Sequence, residues 1–191
     1  MRICVAGAYG AFGLKHLDAL KNIEDIEVVS VMGPNRNKIA ALANERRIEH
    51  FSDSLEECIS LQNVDAIILS TPTQMHANQA IRCMDAGKHV LVEIPMADTL
   101  VDSNRIGDTK RETGLVCMAG HVRRFNPSHQ WINNKLKQEN LKLNKWMHKP
   151  TSFVEQILMQ RVNQDLGPII YFGIMPVIRL IYSSTKHKVK S

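Results

Sequence analysis

Short apolar runs alternate with amphipathic segments along the first 125 residues. The run at 65–70 is almost continuously apolar, which is typical of a strand covered on both faces in a parallel sheet. One helical pattern opens with a capping box formed by Ser54 and Glu57. The alternation predicts an α/β fold, a doubly wound parallel sheet with right-handed crossovers. Predicted strands are 3–6, 26–32, 48–51, 65–70, 89–92 and 115–119, and predicted helices include 14–20, 73–86 and 97–113.

Three glycines follow the first strand where the first helix begins. Gly7, Gly10 and Gly13 have the spacing G-x-x-G-x-x-G, one residue longer than the commonest dinucleotide fingerprint. Glycines let the backbone turn tightly and approach phosphates, and a helix N-terminus offers unpaired N–H groups and a positive dipole end. A purely structural glycine turn is the alternative interpretation. The position in the first strand–helix unit favours binding of a dinucleotide pyrophosphate.

Length and cysteine usage restrict the class of protein. The 191 residues leave room for one domain of ordinary size and a fragment. No secretory signal is visible at the start, and the four cysteines lie in apolar runs without a C-x-x-C pair. Buried thiols in a reducing compartment are expected, so the predicted location is cytoplasmic and no metal site is expected.

The net charge of +5 is unevenly distributed. Residues 135–191 hold ten Lys/Arg against three Asp/Glu, which leaves 14 against 16 for residues 1–134. A uniform nucleic-acid-binding domain would not confine its positive charge to one end of the chain, so no nucleic-acid partner is expected. The apolar stretch 166–182 contains glycines, prolines and Arg179, which fits neither a membrane span nor a core helix. No membrane partner is expected either.

Four segments carry a family likeness, namely 66–76, 87–90, 93–95 and 120–127. Together they resemble the Gfo/Idh/MocA oxidoreductases, and the likeness covers about residues 1–136. It implies an NAD(P)-binding domain at 1–125, a crossover helix at 126–137 and, in intact relatives, a second domain that contacts the substrate. Within the family the chain is most similar to members that act on carboxylated aldehydes, or their hemiacetals, from aromatic ring cleavage. A small-molecule substrate is implied, as is a homo-oligomer for the intact relatives.

The resemblance and the positions at strand ends together predict the coenzyme-binding residues. Ser70 to Thr73 follow the fourth strand, at the carboxyl edge where ligands of such sheets bind, although a simple turn before a helix is the alternative. For His76 a backbone or ribose contact is expected, and for His16 packing. The resemblance places Glu93 near the nicotinamide ribose. The full predicted set is Gly7, Tyr9, Gly10, Ala11, Phe12, Asn35, Arg36, Ser70, Thr71, Pro72, Thr73, His76 and Glu93.

The end of the second strand decides between NADP and NAD. A carboxylate there would bind the ribose 2′-hydroxyl and repel a 2′-phosphate. The segment 32–38 has no acid and contains Arg36 and Lys38. Arg36 is suited to fork onto a 2′-phosphate, with a solvated helix start as the alternative. NADP is the predicted coenzyme, with NAD as the alternative.

The sequence assigns few residues to the substrate and to the chemical step. His121 and Arg124 follow the sixth strand and are candidates to face the substrate. Arg124 would pair with a carboxylate of the substrate. In the alternative interpretation, Arg123 and Arg124 are simply a solvated pair. Ile94 stands where the family usually has a lysine that assists proton and hydride transfer. The ring-cleavage members resemble this chain in having isoleucine there. No catalytic residue is assigned.

Residues 138–191 do not resemble the family's second domain. Back-translated and read one nucleotide earlier, they can spell a string that does, including a W-H-H-x-x-H segment. We interpret this as one lost base, or two gained, near Gln138. A genuine short variant with a new tail is the alternative.

The expected function is therefore an NADP-dependent dehydrogenase of this type, truncated and inactive as given. A non-catalytic NAD(P)-binding module and a sugar-type dehydrogenase of the same family remain as alternatives.

Overall fold

The computed structural model describes residues 1–138. Residues 1–120 belong to one compact unit, and a second unit begins at His121. The predicted tail at 138–191 and its apolar stretch lie outside the described residues, apart from Gln138 itself. The domain boundaries at 125 and 137 stay predictions.

Six parallel strands form the sheet of the first unit. Their order is β3-β2-β1-β4-β5-β6, so the direction of winding reverses between β1 and β4. The predicted fold class, a doubly wound parallel sheet, is confirmed. Ligands of such sheets bind beyond the carboxyl ends of the strands at this reversal. The strands are β1 (Arg2–Ala6), β2 (Glu27–Met32), β3 (His50–Ser52), β4 (Ala66–Leu69), β5 (His89–Val92) and β6 (Cys117–Ala119).

Helices connect successive strands. None of those within residues 1–138 is long and apolar enough to cross a membrane. In the second unit a short 3₁₀ helix, Val122–Phe125, precedes the last described helix. The helices are α1 (Ala11–Leu20), α2 (Arg36–Arg46), α3 (Leu55–Ser60), α4 (Thr73–Asp85), α5 (Leu100–Thr113) and α6 (Pro127–Gln138).

The core lies on both faces of the central strands. All four residues of β4 are buried, as are the last four of β1 and the last three of β5. This explains their nearly unbroken apolar sequences, because helices cover both faces of a parallel sheet.

Several predicted ends were wrong. Helix α1 begins three residues earlier than predicted and contains Gly13, a residue whose low helix propensity hides the start. Helix α5 begins at Leu100 rather than at 97, because Thr99 caps it by accepting a hydrogen bond from the Asp102 N–H. The second, third, fourth and sixth strands also start later than predicted.

The predicted capping box at α3 is also wrong. Ser54 precedes the helix, but its side chain makes no capping hydrogen bond. Glu57 instead accepts a hydrogen bond from the Ser52 hydroxyl at 2.5 Å, and the same Ser52 oxygen accepts one from the Ser54 N–H at 2.9 Å. Ser52, at the end of β3, thus connects the Glu57 carboxylate to the Ser54 N–H, in place of the direct bond that a capping box would have.

All four cysteines are buried thiols, and the raised pKa values of Cys83 and Cys117 contribute a dependence of stability on alkaline pH. Burial raises the pKa of Cys83 to about 12 and that of Cys117 to about 11. The unfolded chain loses these protons near pH 8.5, whereas the folded chain keeps them. Unfolding is therefore expected to become easier above pH 8.5, by at most about 1.4 kcal/mol per pH unit for each thiol.

The measurement is urea unfolding at pH 7.5, 8.5 and 9.5. Cys83→Ala is the control, because it removes one of the thiols with a raised pKa and should make the dependence on pH less steep. An equal slope in the two proteins would contradict the assignment.

Candidate nucleotide-binding site

The glycine loop lies where β1 ends beside β2 and β4. Gly7 has a φ of 78°, and the N–H groups of Gly7 and Ala8 both donate to the Met32 carbonyl, at 2.9 and 3.0 Å. Gly10 then precedes α1, and no side chain caps that helix. A helix N-terminus of this kind attracts an anion through its N–H groups and dipole. The loop has the geometry expected of a pyrophosphate site.

The three glycines meet different physical demands. A Cβ on Gly7 would lie 2.4 Å from the Ser70 carbonyl oxygen, and one on Gly13 would lie 2.2 Å from the Gly7 oxygen. Both positions are too close for any side chain. A Cβ on Gly10 would lie 3.1 Å from the Gly7 oxygen, which is tight but tolerable. Gly10 is therefore the glycine that packing requires least, and it is the one at the start of α1.

The turn after β2 is tied to the glycine loop by Tyr9. Its hydroxyl accepts a hydrogen bond from the Asn35 N–H at 3.1 Å, and its ring occupies the space that a Cβ on Gly33 would need. Asn35 itself caps α2, because its side-chain oxygen accepts from the Lys38 N–H at 3.0 Å. Two predicted site residues, Tyr9 and Asn35, thus shape the site through local structure.

Arg36 is paired within the protein. Its Nη1 lies 3.2 Å from Asp53 Oδ1, and its guanidinium carbon lies 5.8 Å from the centre of the Phe51 ring. Both charged side chains are about half exposed, at 60% for Arg36 and 44% for Asp53. Arg36, the predicted partner of a 2′-phosphate, therefore lies against the Asp53 carboxylate, which the sequence analysis does not single out. The signal that could have identified Asp53 is its position directly after β3.

A cleft of about 400 Å³ opens beside this pair. It lies between the ends of β2 and β3 on one side and helices α3 and α4 on the other. Of the residues that line it, only Met32 belongs to the segment 32–38 that the sequence connects with coenzyme choice. Its walls are Met32, Asp53, Leu55, Glu56, Gln74, Met75, Asn78, Gln79 and Arg82.

The turn between β4 and α4 is held by side-chain hydrogen bonds. The Ser70 hydroxyl donates to the Ala6 carbonyl at 2.7 Å, and the Thr71 hydroxyl donates to Gln79 Oε1 at 2.5 Å. Pro72 precedes α4, and Thr73 is its first residue. Helix α4 follows β4 as α1 follows β1, so both helices begin at the carboxyl edge of the sheet, and no side chain caps α4 either.

His76 joins two turns of the site. Its ring is buried, with Nδ1 at 2.8 Å from the Pro95 carbonyl oxygen and Nε2 at 2.7 Å from that of Thr71. Of the two contacts expected for His76, the structure has the backbone contact. The ribose contact stays a prediction.

Glu93, after β5, is held by a histidine from α1. His16 Nε2 lies 2.7 Å from Glu93 Oε1, and both residues are buried. The carboxyl group fits because residue 120 is a glycine, on which a Cβ would lie 3.2 Å from Glu93 Cδ. For His16 the sequence predicts packing alone, so this pair is a finding of the structure. The partners are 77 positions apart, and no local pattern links them.

The two predicted substrate residues lie in the second unit. His121 precedes the 3₁₀ helix and Arg124 lies within it, and the Arg124 N–H donates to the His121 carbonyl at 3.0 Å. Both side chains are exposed. Their role towards a substrate stays a prediction.

Comparison with known proteins identifies the family. Residues 1–121 match the Gfo/Idh/MocA model, described as an oxidoreductase family with an NAD-binding Rossmann fold. The chain belongs to this family. The resemblance that the motifs predicted is confirmed.

Among its Gfo/Idh/MocA relatives, the chain is 55% identical over 136 residues to 4-carboxy-2-hydroxymuconate-6-semialdehyde dehydrogenase of Sphingobium sp. strain SYK-6, covering 71% of this chain and 43% of that one. It is 30% identical to the NAD(+)-linked scyllo-inositol 2-dehydrogenase of Bacillus subtilis, covering 66% and 37%. A probable dehydrogenase from Thermotoga maritima superposes with a TM-score of 0.69 at 25% identity, covering 72% and 41%. The chain thus spans less than half the length of these relatives.

Proposed function

We propose that residues 1–120 bind NADP(H), with the pyrophosphate at the start of α1. The observation that carries the proposal is the N-terminus of α1, which has no side-chain cap and lies where the sheet reverses between β1 and β4. Arg36 would take the 2′-phosphate. The turns after β4 and β5 would contact the rest of the coenzyme, with Glu93 at the nicotinamide ribose.

The proposed reaction is that of a dehydrogenase acting on a carboxylated aldehyde or its cyclic hemiacetal. The 55% identity to the semialdehyde dehydrogenase supports this substrate class. When bound, the nicotinamide accepts the hydride, and the protein supplies positioning and electrostatics. His16 would fix the Glu93 carboxylate, and Arg124 would pair with a substrate carboxylate. We place the protein in the cytoplasm, because all four of its cysteines are buried free thiols.

The sharpest test of coenzyme binding separates it from packing at Gly10. We expect Gly10→Asp to weaken NADPH binding at least about tenfold, because the carboxylate would cap the α1 N–H groups and repel the pyrophosphate. Gly10→Ser is the matched control, with the same tight Cβ and a neutral cap. Both variants should keep the melting temperature of the unchanged chain, since Asp and Ser are good capping residues. Binding is measured by NADPH fluorescence.

Equal NADPH affinities for Gly10→Asp and the unchanged chain would reject the pyrophosphate site. They would leave the glycine loop as a structural turn only. A loss shared equally by the Asp and Ser variants would indicate a steric effect rather than a charge effect.

A non-catalytic coenzyme-binding module is the second candidate. One observation favours it, namely that Ile94, which has no titratable group, stands beside Glu93 with 43% of its surface exposed. Turnover separates the two functions. NADP reduction with a ring-cleavage semialdehyde would support the dehydrogenase, and turnover only with inositols or other sugars would support a sugar-type member. Tight NADPH binding without either would support the module or a dehydrogenase inactivated in its tail, and the sequencing described next separates those two.

We also propose that residues from about 138 onward are read in a shifted frame, which would leave this chain inactive. Residues 135–191 hold ten Lys/Arg but only three Asp/Glu, and this abrupt change in charge supports the proposed frame shift. Sequencing independent genomic DNA across codons 130–191 tests it. One additional base near codon 138, with the frame running on through W-H-H-x-x-H, would support it, and an unchanged frame would reject it.

A further inference from the structure

Arg36 and Asp53 bring opposite charges to the proposed position of the adenosine ribose, which carries a 2′-phosphate in NADP and a 2′-hydroxyl in NAD. Arg36 begins α2 just after β2, and Asp53 follows β3, the neighbouring strand of the sheet. Their atoms Nη1 and Oδ1 are 3.2 Å apart, and Asp53 also forms part of the cleft wall. A carboxylate in this region favours a ribose 2′-hydroxyl, whereas an arginine favours a 2′-phosphate. This protein has both, one from each strand end.

We propose that Asp53 is a specificity-determining residue that weakens the preference for NADP by holding the Arg36 guanidinium. The inference rests on the proposed coenzyme site. A 2′-phosphate must share the guanidinium with the Asp53 carboxylate or displace it, and a 2′-hydroxyl need not. The coenzyme preference is then set by a pair, and Arg36 alone does not describe it.

The surroundings of the pair make this competition effective. The guanidinium carbon lies 5.8 Å from the centre of the Phe51 ring, within range of a cation–π attraction. Because the two side chains remain about half exposed, the ion pair is weak enough for a phosphate to compete with it. A fully buried pair would instead be locked against exchange.

Neutralising the carboxylate tests the inference directly. We expect Asp53→Asn to tighten NADPH binding about threefold to fivefold, the range that corresponds to an exposed ion pair, and to leave NADH binding nearly unchanged. The matched control is Asp108→Asn, which removes the same charge from an exposed pair with Arg111 on α5. It should leave the ratio of the two affinities unchanged.

A double-mutant cycle shows whether Asp53 acts through Arg36. In an Arg36→Ala background, Asp53→Asn should no longer change NADPH affinity. The dissociation constants of NADPH and NADH are measured for the unchanged full chain, both single variants and the double variant. Tighter NADPH binding that persists without Arg36 would overturn the inference, since the carboxylate would then repel the phosphate directly.

The outcomes also separate this inference from the proposed function. Binding of NADPH with an affinity ratio that Asp53→Asn does not change overturns the role of Asp53 and leaves the coenzyme site standing. Failure of the unchanged chain to bind either dinucleotide overturns both.

Discussion

Replacing Gly7 with alanine is expected to lower the free energy of unfolding by about 3 kcal/mol, and the same change at Gly87 by about 1 kcal/mol. Both glycines have a φ of 78°, so both variants share the cost of a left-handed alanine. Only at Gly7 does the new Cβ meet the backbone, at 2.4 Å from the Ser70 carbonyl oxygen. At Gly87 nothing lies within 4 Å.

The comparison isolates the close approach of the glycine loop to the end of β4. Urea unfolding of the two variants and the unchanged chain measures it. Equal losses at the two positions would mean that the backbone at Ser70 moves aside without cost. The close approach would then not explain why residue 7 is a glycine.

Replacing His16 with leucine is expected to cost about 3 kcal/mol, because Glu93 then loses its partner at 2.7 Å while remaining buried. The loss should be smaller in the double variant His16→Leu with Glu93→Leu. Two apolar groups leave no unsatisfied polar atom, whereas one unpaired buried partner pays its full desolvation cost.

Urea unfolding of both single variants and the double variant measures this coupling. Losses that simply add would contradict it, since they would mean that His16 and Glu93 contribute independently. Glu93→Gln is the control, because the amide oxygen can still accept a hydrogen bond from His16.

Much of the fold could be predicted because each strand carries its burial in its own residues. The run at 65–70 is apolar at nearly every position, and the structure buries all of Ala66–Leu69 on both faces of the sheet. The glycine loop was predictable for a similar reason, since Gly7, Gly10 and Gly13 mark a turn within seven residues. Element ends were less predictable, because Gly13 hides the start of α1 and Ser52 replaces Ser54 as the polar partner of Glu57.

The sequence by itself determined the order of strands and helices, the glycine loop and the family, because all of these depend on residues close together in the chain. Only the tertiary structure decided which side chains meet at the site. His16 reaches Glu93 across 77 positions, and Arg36 reaches Asp53 across 17. Each pair forms because parallel strands bring their carboxyl ends, and the helices that follow them, to one edge of the sheet. Local hydrophobic patterning carries no information about which polar partners that edge brings together.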